Sequence, residues 1–123
     1  MKGCEVPIAQ IFVTDAMLAE VDAEDRSGLV HYWAEHASDS GRAARAHMTV
    51  NIVPVTQQVG APIPVLAQLS LPDLWQPDQI ETLALGLART CAQVFRLEAG
   101  QVQVLCQCFP SGYVATAEAV ERW

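Results

Sequence analysis

The chain has 123 residues, which suffice for one compact domain but not for two independent hydrophobic cores. Hydrophobic residues make up 51% of it, charged residues make up 17%, and the formal net charge is −7 at pH 7. So acidic a chain is not built to collect phosphates with Lys and Arg, and we exclude nucleic acid as a partner.

The sequence carries no signal for a membrane or for export. No apolar stretch reaches the roughly 20 residues that a membrane-spanning helix needs. The opening residues MKGCEVPIAQ lack the apolar segment of a secretory signal. We therefore predict a cytoplasmic protein with no membrane partner, and the apolar composition predicts that part of its surface meets another subunit.

The first half of the chain opens with a predicted strand and helix. The alternating run EVPIAQIFV, at residues 5–13, is typical of a strand that begins at a proline. An apolar stripe after Asp22 predicts a helix that this residue caps and that ends near His36. Thr14 or Asp15 is an alternative cap for an earlier turn.

The rest of the first half is predicted to be a loop and a closing strand. HASDSGRAARAH, at residues 36–47, is rich in Ser, Gly and Ala, and we interpret it as a loop insertion. HMTVNIVPV, at residues 47–55, alternates and is rich in β-branched residues, which predicts a strand. Pro54 places the end of this strand at a sheet edge or a strand exit.

The second half repeats this order with clearer signals. An apolar strand starting at Val65 precedes a helix predicted from Pro77 to about Arg96, because proline suits a first helical position and apolar residues follow at helical spacing. QVQVLCQCF, at residues 101–109, is the closing strand. FPSGYV, at residues 109–114, is a turn signal that leads the tail into a short strand or an intersubunit contact.

The two halves align as tandem repeats of one unit. Ala9-Gln10 falls on Ala67-Gln68 inside matching strands, and the register continues into the helices. We therefore predict one domain of two β-α-β units, at about 6–55 and 64–109, plus a C-terminal tail. Because each crossover makes its strands parallel, the fold class is α+β in two layers, with a four-stranded sheet and two helices on one face. The opposite face then needs cover, which oligomerisation supplies.

Four cysteines include no C-x-x-C pair and match neither a zinc site nor a small disulfide framework: Cys4, Cys91, Cys106 and Cys108. Cys106 and Cys108 share one face of a strand, and we interpret them as packing residues. Cys4 would need a nearby cation to become a nucleophile, and only Lys2 adjoins it, so we assign it to packing as well.

The histidines give no metal signal. His31 and His36 are five positions apart, which does not place them on one helix face at the spacing of a metal pair. His47 has no obvious acidic partner, and we interpret it as structural. We predict no metal and no cofactor.

Three segments together carry a resemblance to a known family. The strand Pro7-Ile8-Ala9-Gln10-Ile11, the helical Glu81-Thr82-Leu83 and the strand Val102-Gln103-Val104 resemble the tautomerase superfamily, in particular a fused, two-unit 4-oxalocrotonate tautomerase. The resemblance extends over nearly the whole chain. It implies a homotrimer with sheets inside and helices outside, and a small carboxylic or carbonyl acid as ligand.

The resemblance also implies a catalytic apparatus that this chain lacks. The family uses an N-terminal proline amine as its base, and arginines hold the substrate carboxylate. Pro7 aligns with that proline, but its nitrogen is a tertiary amide without usable basicity. The arginine positions fall on four uncharged residues, Met17, Trp75, Asn51 and Gln103.

These substitutions predict a diverged protein that has lost proline-dependent keto-enol tautomerase activity and keeps a remnant small-molecule pocket. Pro7 is then a structural residue at a strand entrance. The alternative is an active isomerase, hydratase or decarboxylase of small unsaturated or 2-oxo carboxylic acids. That enzyme would use Pro7 after N-terminal trimming, or a different base.

Further residues are candidates for the remnant pocket. Arg42 and Arg45 lie in the insertion, where they are a substitute anion site or simply a solvated loop. Trp75 and Tyr113 are candidates for an apolar pocket wall, and Trp75 is equally suited to anchor an interface. The role of residues 1–5 and the identity of the ligand are left open by the sequence.

Overall fold

The computed structural model describes residues 7–123. Four strands form one mixed sheet in the order β2-β1-β3-β4, with bounds β1 Ile8–Thr14, β2 Thr49–Val55, β3 Val65–Pro72 and β4 Val102–Phe109. Within each half the two strands are parallel, and the halves join through the antiparallel pair β1 and β3. This confirms the predicted α+β fold with a four-stranded sheet.

The first half contains four short helices where one helix and a loop were predicted. They are α1 Asp15–Ala19, α2 Ala23–Ser27, α3 Leu29–His36 and α4 Ser38–Ala44, followed by the 3₁₀ turn Arg45–His47. The predicted loop at residues 36–47 is therefore wrong, because α4 fills it. The predicted single helix from Asp22 to His36 is wrong in its continuity, because α2 ends at Ser27 and α3 begins at Leu29, with Gly28 between them as the cap of both.

A capping hydrogen bond at Thr14 explains how the chain leaves β1. The Thr14 hydroxyl accepts a hydrogen bond from the Met17 amide at 3.3 Å, so a helix begins directly after the strand. This confirms the alternative cap. Asp22 does stand at the N-cap of α2, but its side chain makes no capping hydrogen bond there.

The helix of the second half, α5 Pro77–Val94, begins where the sequence predicts it. Pro77 occupies its first turn, and the Gln79 side chain accepts a hydrogen bond from the Gln76 amide at 2.8 Å, as part of a capping box. The helix ends two residues before the predicted Arg96. That residue adopts a positive φ of 55°, outside the helical region.

One face of the sheet is buried under the helices. Alternate residues of the central strands are buried, among them Ile11, Val13 and Leu69. They form a single cluster with Trp33 of α3 and Leu87 of α5. Alternation therefore directs every second side chain of β1 and β3 toward the helices.

In the part of the chain that the structure describes, no helix packs on the opposite face, and we call it the uncovered face. Cα pairing aligns Asn51, Gln10, Gln68 and Leu105 in one row across the four strands. Neighbouring positions on this face include Ile8, Phe12, Thr49, Leu66, Ser70, Gln103 and Gln107. The face thus mixes amides with apolar side chains.

The chain beyond β4 folds back as a small hairpin of β5 Val114–Ala115 and β6 Val120–Glu121. The Trp123 indole nitrogen donates a hydrogen bond to Asp73 Oδ1 at 2.7 Å, which fastens this hairpin beside the end of β3. Among residues 7–123, no helix has both the length and the apolar character needed to span a membrane.

Candidate functional site

The sheet register divides the predicted site residues between two ends. We call the edge where β1 and β2 begin and β3 and β4 end the Pro7 end, and the opposite edge the Val65 end. At the Pro7 end, Ile8 pairs with Thr49 on one side and with Ser70 on the other, and Ser70 pairs with Gln107. Val65 pairs with Val13 at the other end.

Pro7 is a fully buried side chain immediately before β1. Its carbonyl accepts a hydrogen bond from the Thr49 amide at 3.1 Å, which continues the pairing of β1 with β2. Its nitrogen carries the peptide link to Val6 in the sequence, so the lone pair is delocalised into the amide. Pro7 therefore extends the pairing of β1 with β2 at the strand entrance.

Asn51 on β2 and Gln103 on β4, which align with the family's closing-strand arginine, lie at different places on the uncovered face. Asn51 is paired with Gln10, and its Nδ2 donates a hydrogen bond to Gln10 Oε1 at 3.3 Å. Gln103 pairs with Leu66, near the Val65 end. Within one chain the fold thus keeps Asn51 and Gln103 apart.

Trp75 and Met17, the other two residues aligned with the family's arginines, also lie at opposite ends of the sheet. Trp75 follows β3, so it belongs to the Pro7 end, and only 8% of its surface is exposed. Its Nε1 is buried and has no hydrogen-bond partner within residues 7–123. Met17 lies in α1, which follows β1 at the Val65 end, and it is half-buried.

Arg42 and Arg45, in the segment that was predicted to be an inserted loop, are on the surface. Arg42 forms an ion pair with Asp39 on α4, and both side chains are exposed. Because the pair is exposed and three positions apart on one helix, it holds the Arg42 charge at the surface. Arg45 is exposed in the 3₁₀ turn that leads into β2, and within the described chain it forms no ion pair.

Tyr113 lies on the surface of the described chain. It follows the end of β4, and 75% of its surface is exposed. Its amide donates a hydrogen bond to the Pro110 carbonyl at 3.1 Å, which fixes the turn rather than the ring. The predicted turn at residues 109–114 is therefore present, while the phenol points to no described partner.

A cleft of about 430 Å³ at the Val65 end was not predicted from the sequence. Its polar lining includes Glu20, Asp22 and Asp25, and Arg96 contributes one cation. The other lining residues are Thr14, Ala16, Met17, Val21, Val94, Phe95 and Leu97. Asp22 was recognised only as a cap, and no local motif links α1 and α2 to the end of α5.

The described chain groups no three side chains as ligands of one metal ion. Across residues 7–123, no three side chains of His, Cys, Asp or Glu are grouped so that they could share an ion. His31 and Glu35 form a surface pair at 2.9 Å, and His36 contacts Gln93 at 2.8 Å, so both helical histidines have neighbours of their own. Cys4 lies outside the described residues.

Comparison with solved structures identifies the fold. A wild-type fused 4-OT, solved as an asymmetric trimer, matches with a TM-score of 0.74 and 14% identity, covering 92% of this chain and 94% of the other. The chain has the tautomerase-like fold. Pt0534 inactivated by 2-oxo-3-pentynoate matches with a TM-score of 0.72 and 15% identity, over 93% and 94% of the two chains.

The same fold occurs in a third solved structure. A member of the cis-3-chloroacrylic acid dehalogenase family matches with a TM-score of 0.71 and 13% identity, over 93% of this chain and 82% of the other. No family model matches the sequence, and no curated protein matches it. The tautomerase-like fold is therefore preserved here at low sequence identity.

Proposed function

We propose that this protein is a diverged member of the tautomerase superfamily that has lost proline-dependent keto-enol tautomerase activity. It keeps a remnant pocket for a small carboxylic or carbonyl acid. The observation that carries the proposal is the state of Pro7, whose ring is buried and whose nitrogen is an amide. A cytoplasmic location remains a prediction from the sequence.

Proline-dependent tautomerisation requires a free amine at the position of Pro7. Tautomerisation moves a proton between carbon and oxygen, and a secondary amine with a pKa near neutrality can accept and return that proton. An amide nitrogen accepts none under the same conditions. Because Thr49 also binds the Pro7 carbonyl, the residue is integrated into the sheet as an interior strand residue would be.

The anion clamp is missing together with the base. Asn51 and Gln103 donate hydrogen bonds but carry no charge, and Asn51 is already engaged with Gln10. Trp75 offers a single indole donor and Met17 offers none. A ligand held by these groups would be bound through hydrogen bonds and apolar contact, so we expect weak discrimination in favour of carboxylates.

We further propose that the chain assembles as a homotrimer. On the uncovered face of the described residues, Phe12 and Leu66 are only half-buried and 54% of Leu105 is exposed. The fused 4-OT of the same fold is a trimer. Packing the sheets of three copies together would bury these apolar side chains and allow the amides to bond across subunits.

The test is turnover of phenylenolpyruvate and 2-hydroxymuconate by the untrimmed chain and by a Pro7→Ala variant. We expect no ketonisation above the buffer rate in either protein, because neither contains a proline amine. Turnover by the untrimmed chain would overturn the proposal, most clearly if Pro7→Ala abolished it. Turnover only by a chain that begins at Pro7 would instead support the alternative enzyme.

The electrophile 2-oxo-3-pentynoate supplies an independent readout. Pt0534 is inactivated by this compound, and a conjugated alkyne adds to free amines and thiols. In this chain we expect no modification at Pro7. Peptide mapping is essential, since the exposed thiols of Cys106 and Cys108 are also nucleophiles.

A further inference from the structure

Two exposed thiols lie side by side on β4. Cys106 and Cys108 are both free and both exposed. They pair with Leu69 and Leu71 of β3, which are buried on the helix side of the sheet, so the two thiols share that side. Free cysteine is among the most buried residue types, and Cys91 of α5 follows that rule. An exposed pair on one strand face departs from it.

The spacing of the pair suits a bridging atom better than a disulfide. Residues two apart on a strand have Cα atoms about 6.8 Å apart, and their Cβ atoms are separated similarly. A disulfide needs Cβ atoms within about 4.5 Å, which would require β4 to bend. An intervening metal with two bonds of about 2.3 Å to sulfur accepts sulfurs up to about 4.6 Å apart, and side chains leaning together reach that distance.

We propose that Cys106 and Cys108 form a two-thiolate site that binds a soft, thiophilic monovalent ion, of which Cu(I) is the representative. Thiolate is the ligand type that selects Cu(I). Two-coordinate binding also requires no third side chain, which agrees with the absence of any larger ligand group within residues 7–123. On binding, both thiols lose their protons to solvent and the copper remains Cu(I).

A bound monovalent cation also balances charge at the pair. Two adjacent thiolates repel each other, and a cation between the sulfurs removes that repulsion, so a bridged pair is favoured over two free thiolates.

The site is independent of the proposed function. The thiols lie on the helix side of the sheet, whereas the proposed trimer packs through the uncovered face, which Leu105 and Gln107 of the same strand occupy. Val102 is covered by the helix layer, and the thiols lie farther along the strand, where the side chains become exposed. The copper site and the proposed loss of tautomerase activity can therefore be tested and disproved independently of each other.

The experiment is an anaerobic Cu(I) titration of the full chain in competition with a chromophoric Cu(I) chelator. The proteins are wild type, Cys106→Ser, Cys108→Ser and, as the matched control, Cys4→Ser. We expect one Cu(I) per chain in wild type and in the control. We expect at least a 100-fold loss of affinity in each of the other two, because a single thiolate cannot chelate.

A second readout reports the proximity of the thiols without metal. Phenylarsine oxide condenses with two neighbouring thiols, forming two As–S bonds and releasing one water while arsenic stays trivalent. Mass spectrometry should place one such adduct across Cys106 and Cys108 in wild type and in Cys4→Ser. Unchanged Cu(I) affinity in both strand variants would overturn the proposal, and so would an equal loss in Cys4→Ser or an arsenical that spans other thiols.

Discussion

The indole nitrogen of Trp33 donates a hydrogen bond to the main-chain carbonyl of Leu83 at 2.9 Å, and both residues are buried. Trp33 belongs to α3 and Leu83 to α5, so this bond joins the two halves of the chain across fifty positions of sequence. It also satisfies the one polar side-chain atom of Trp33, which is the largest fully buried side chain among residues 7–123.

Replacing this donor should destabilise the fold measurably. In Trp33→Phe the bond is lost and the smaller ring leaves a gap beneath α5, so we expect the free energy of unfolding to fall by about 1–3 kcal/mol. Urea unfolding followed by circular dichroism measures it. Tyr113→Phe, at an exposed ring, is the control and should change stability little. An unchanged midpoint for Trp33→Phe would show that the bond contributes nothing.

The contact between α3 and α4 depends on Gly41. A Cβ placed on Gly41 would overlap the Ala34 carbonyl oxygen, and the carbonyl carbon and Cα of Ala34 would lie under 3 Å from it. Because the obstacle is backbone, we expect Gly41→Ala to destabilise by about 3 kcal/mol or more. Gly100→Ala is the control, since nothing lies within 4 Å of its Cβ position. Equal melting temperatures for the two variants would contradict the close packing.

Burial of Cys91 makes stability depend on alkaline pH. Desolvation raises the pKa of this thiol from 9.0 to about 12. Between those values the unfolded chain loses a proton that the folded chain keeps, so the thiol's contribution to stability falls by about 1.4 kcal/mol per pH unit. The contribution is complete below pH 9 and is lost as the pH rises.

Denaturation at several pH values tests this dependence. Cys91→Ala should be less stable than wild type at pH 8, but should lose stability more slowly from pH 9 upward. Val94→Ala, a buried truncation in the same helix that removes no ionisable group, should keep the wild-type slope. Parallel curves for Cys91→Ala and wild type would show that the thiol ionises normally in the folded protein.

The proposed trimer places the uncovered face inside the assembly. Gln68 lies in the centre of this face, paired with Gln10 and Leu105. Gln68→Glu would bring three carboxylates into a shared interior, and we expect the trimer to dissociate. Light scattering after size-exclusion chromatography measures the mass. Leu85→Glu, at a half-exposed position on α5, should leave the trimer intact.

A wild-type protein that is monomeric at micromolar concentration would contradict the trimer directly. A Gln68→Glu variant that retains the trimer mass would show that another surface forms the assembly. Either result would leave the fold itself unaffected, because the core that α3 and α5 form with the sheet lies on the other face.

The sequence predicted the regular elements best where local signals agree with burial. The start of α5 at Pro77 and the alternation of β3 are both present in the structure. The segment that forms α4 was interpreted as a loop because Ser and Gly are weak helix formers. It is helical because Ser40, Gly41 and Ala44 are buried in tertiary contacts, which override local propensity.

The candidate site was harder to predict, for geometric reasons. The alignment assigned Met17 and Trp75 to equivalent positions, but the antiparallel joining of β1 and β3 sends them to opposite ends of the sheet. Nor could the sequence show that the Trp75 indole nitrogen is buried without a partner in the described chain. The acidic lining of the cleft at the Val65 end comes from segments far from α5 in sequence, which no local pattern connects.

The central claim, that Pro7 offers no amine, is tested most directly by 2-oxo-3-pentynoate treatment of the protein purified from its own producing cell. Peptide mapping then locates every adduct. The account predicts that the peptide containing Pro7 is unmodified and still preceded by Val6, with any adducts confined to cysteines. A peptide that begins at Pro7 and carries the reagent on its ring nitrogen would contradict the account.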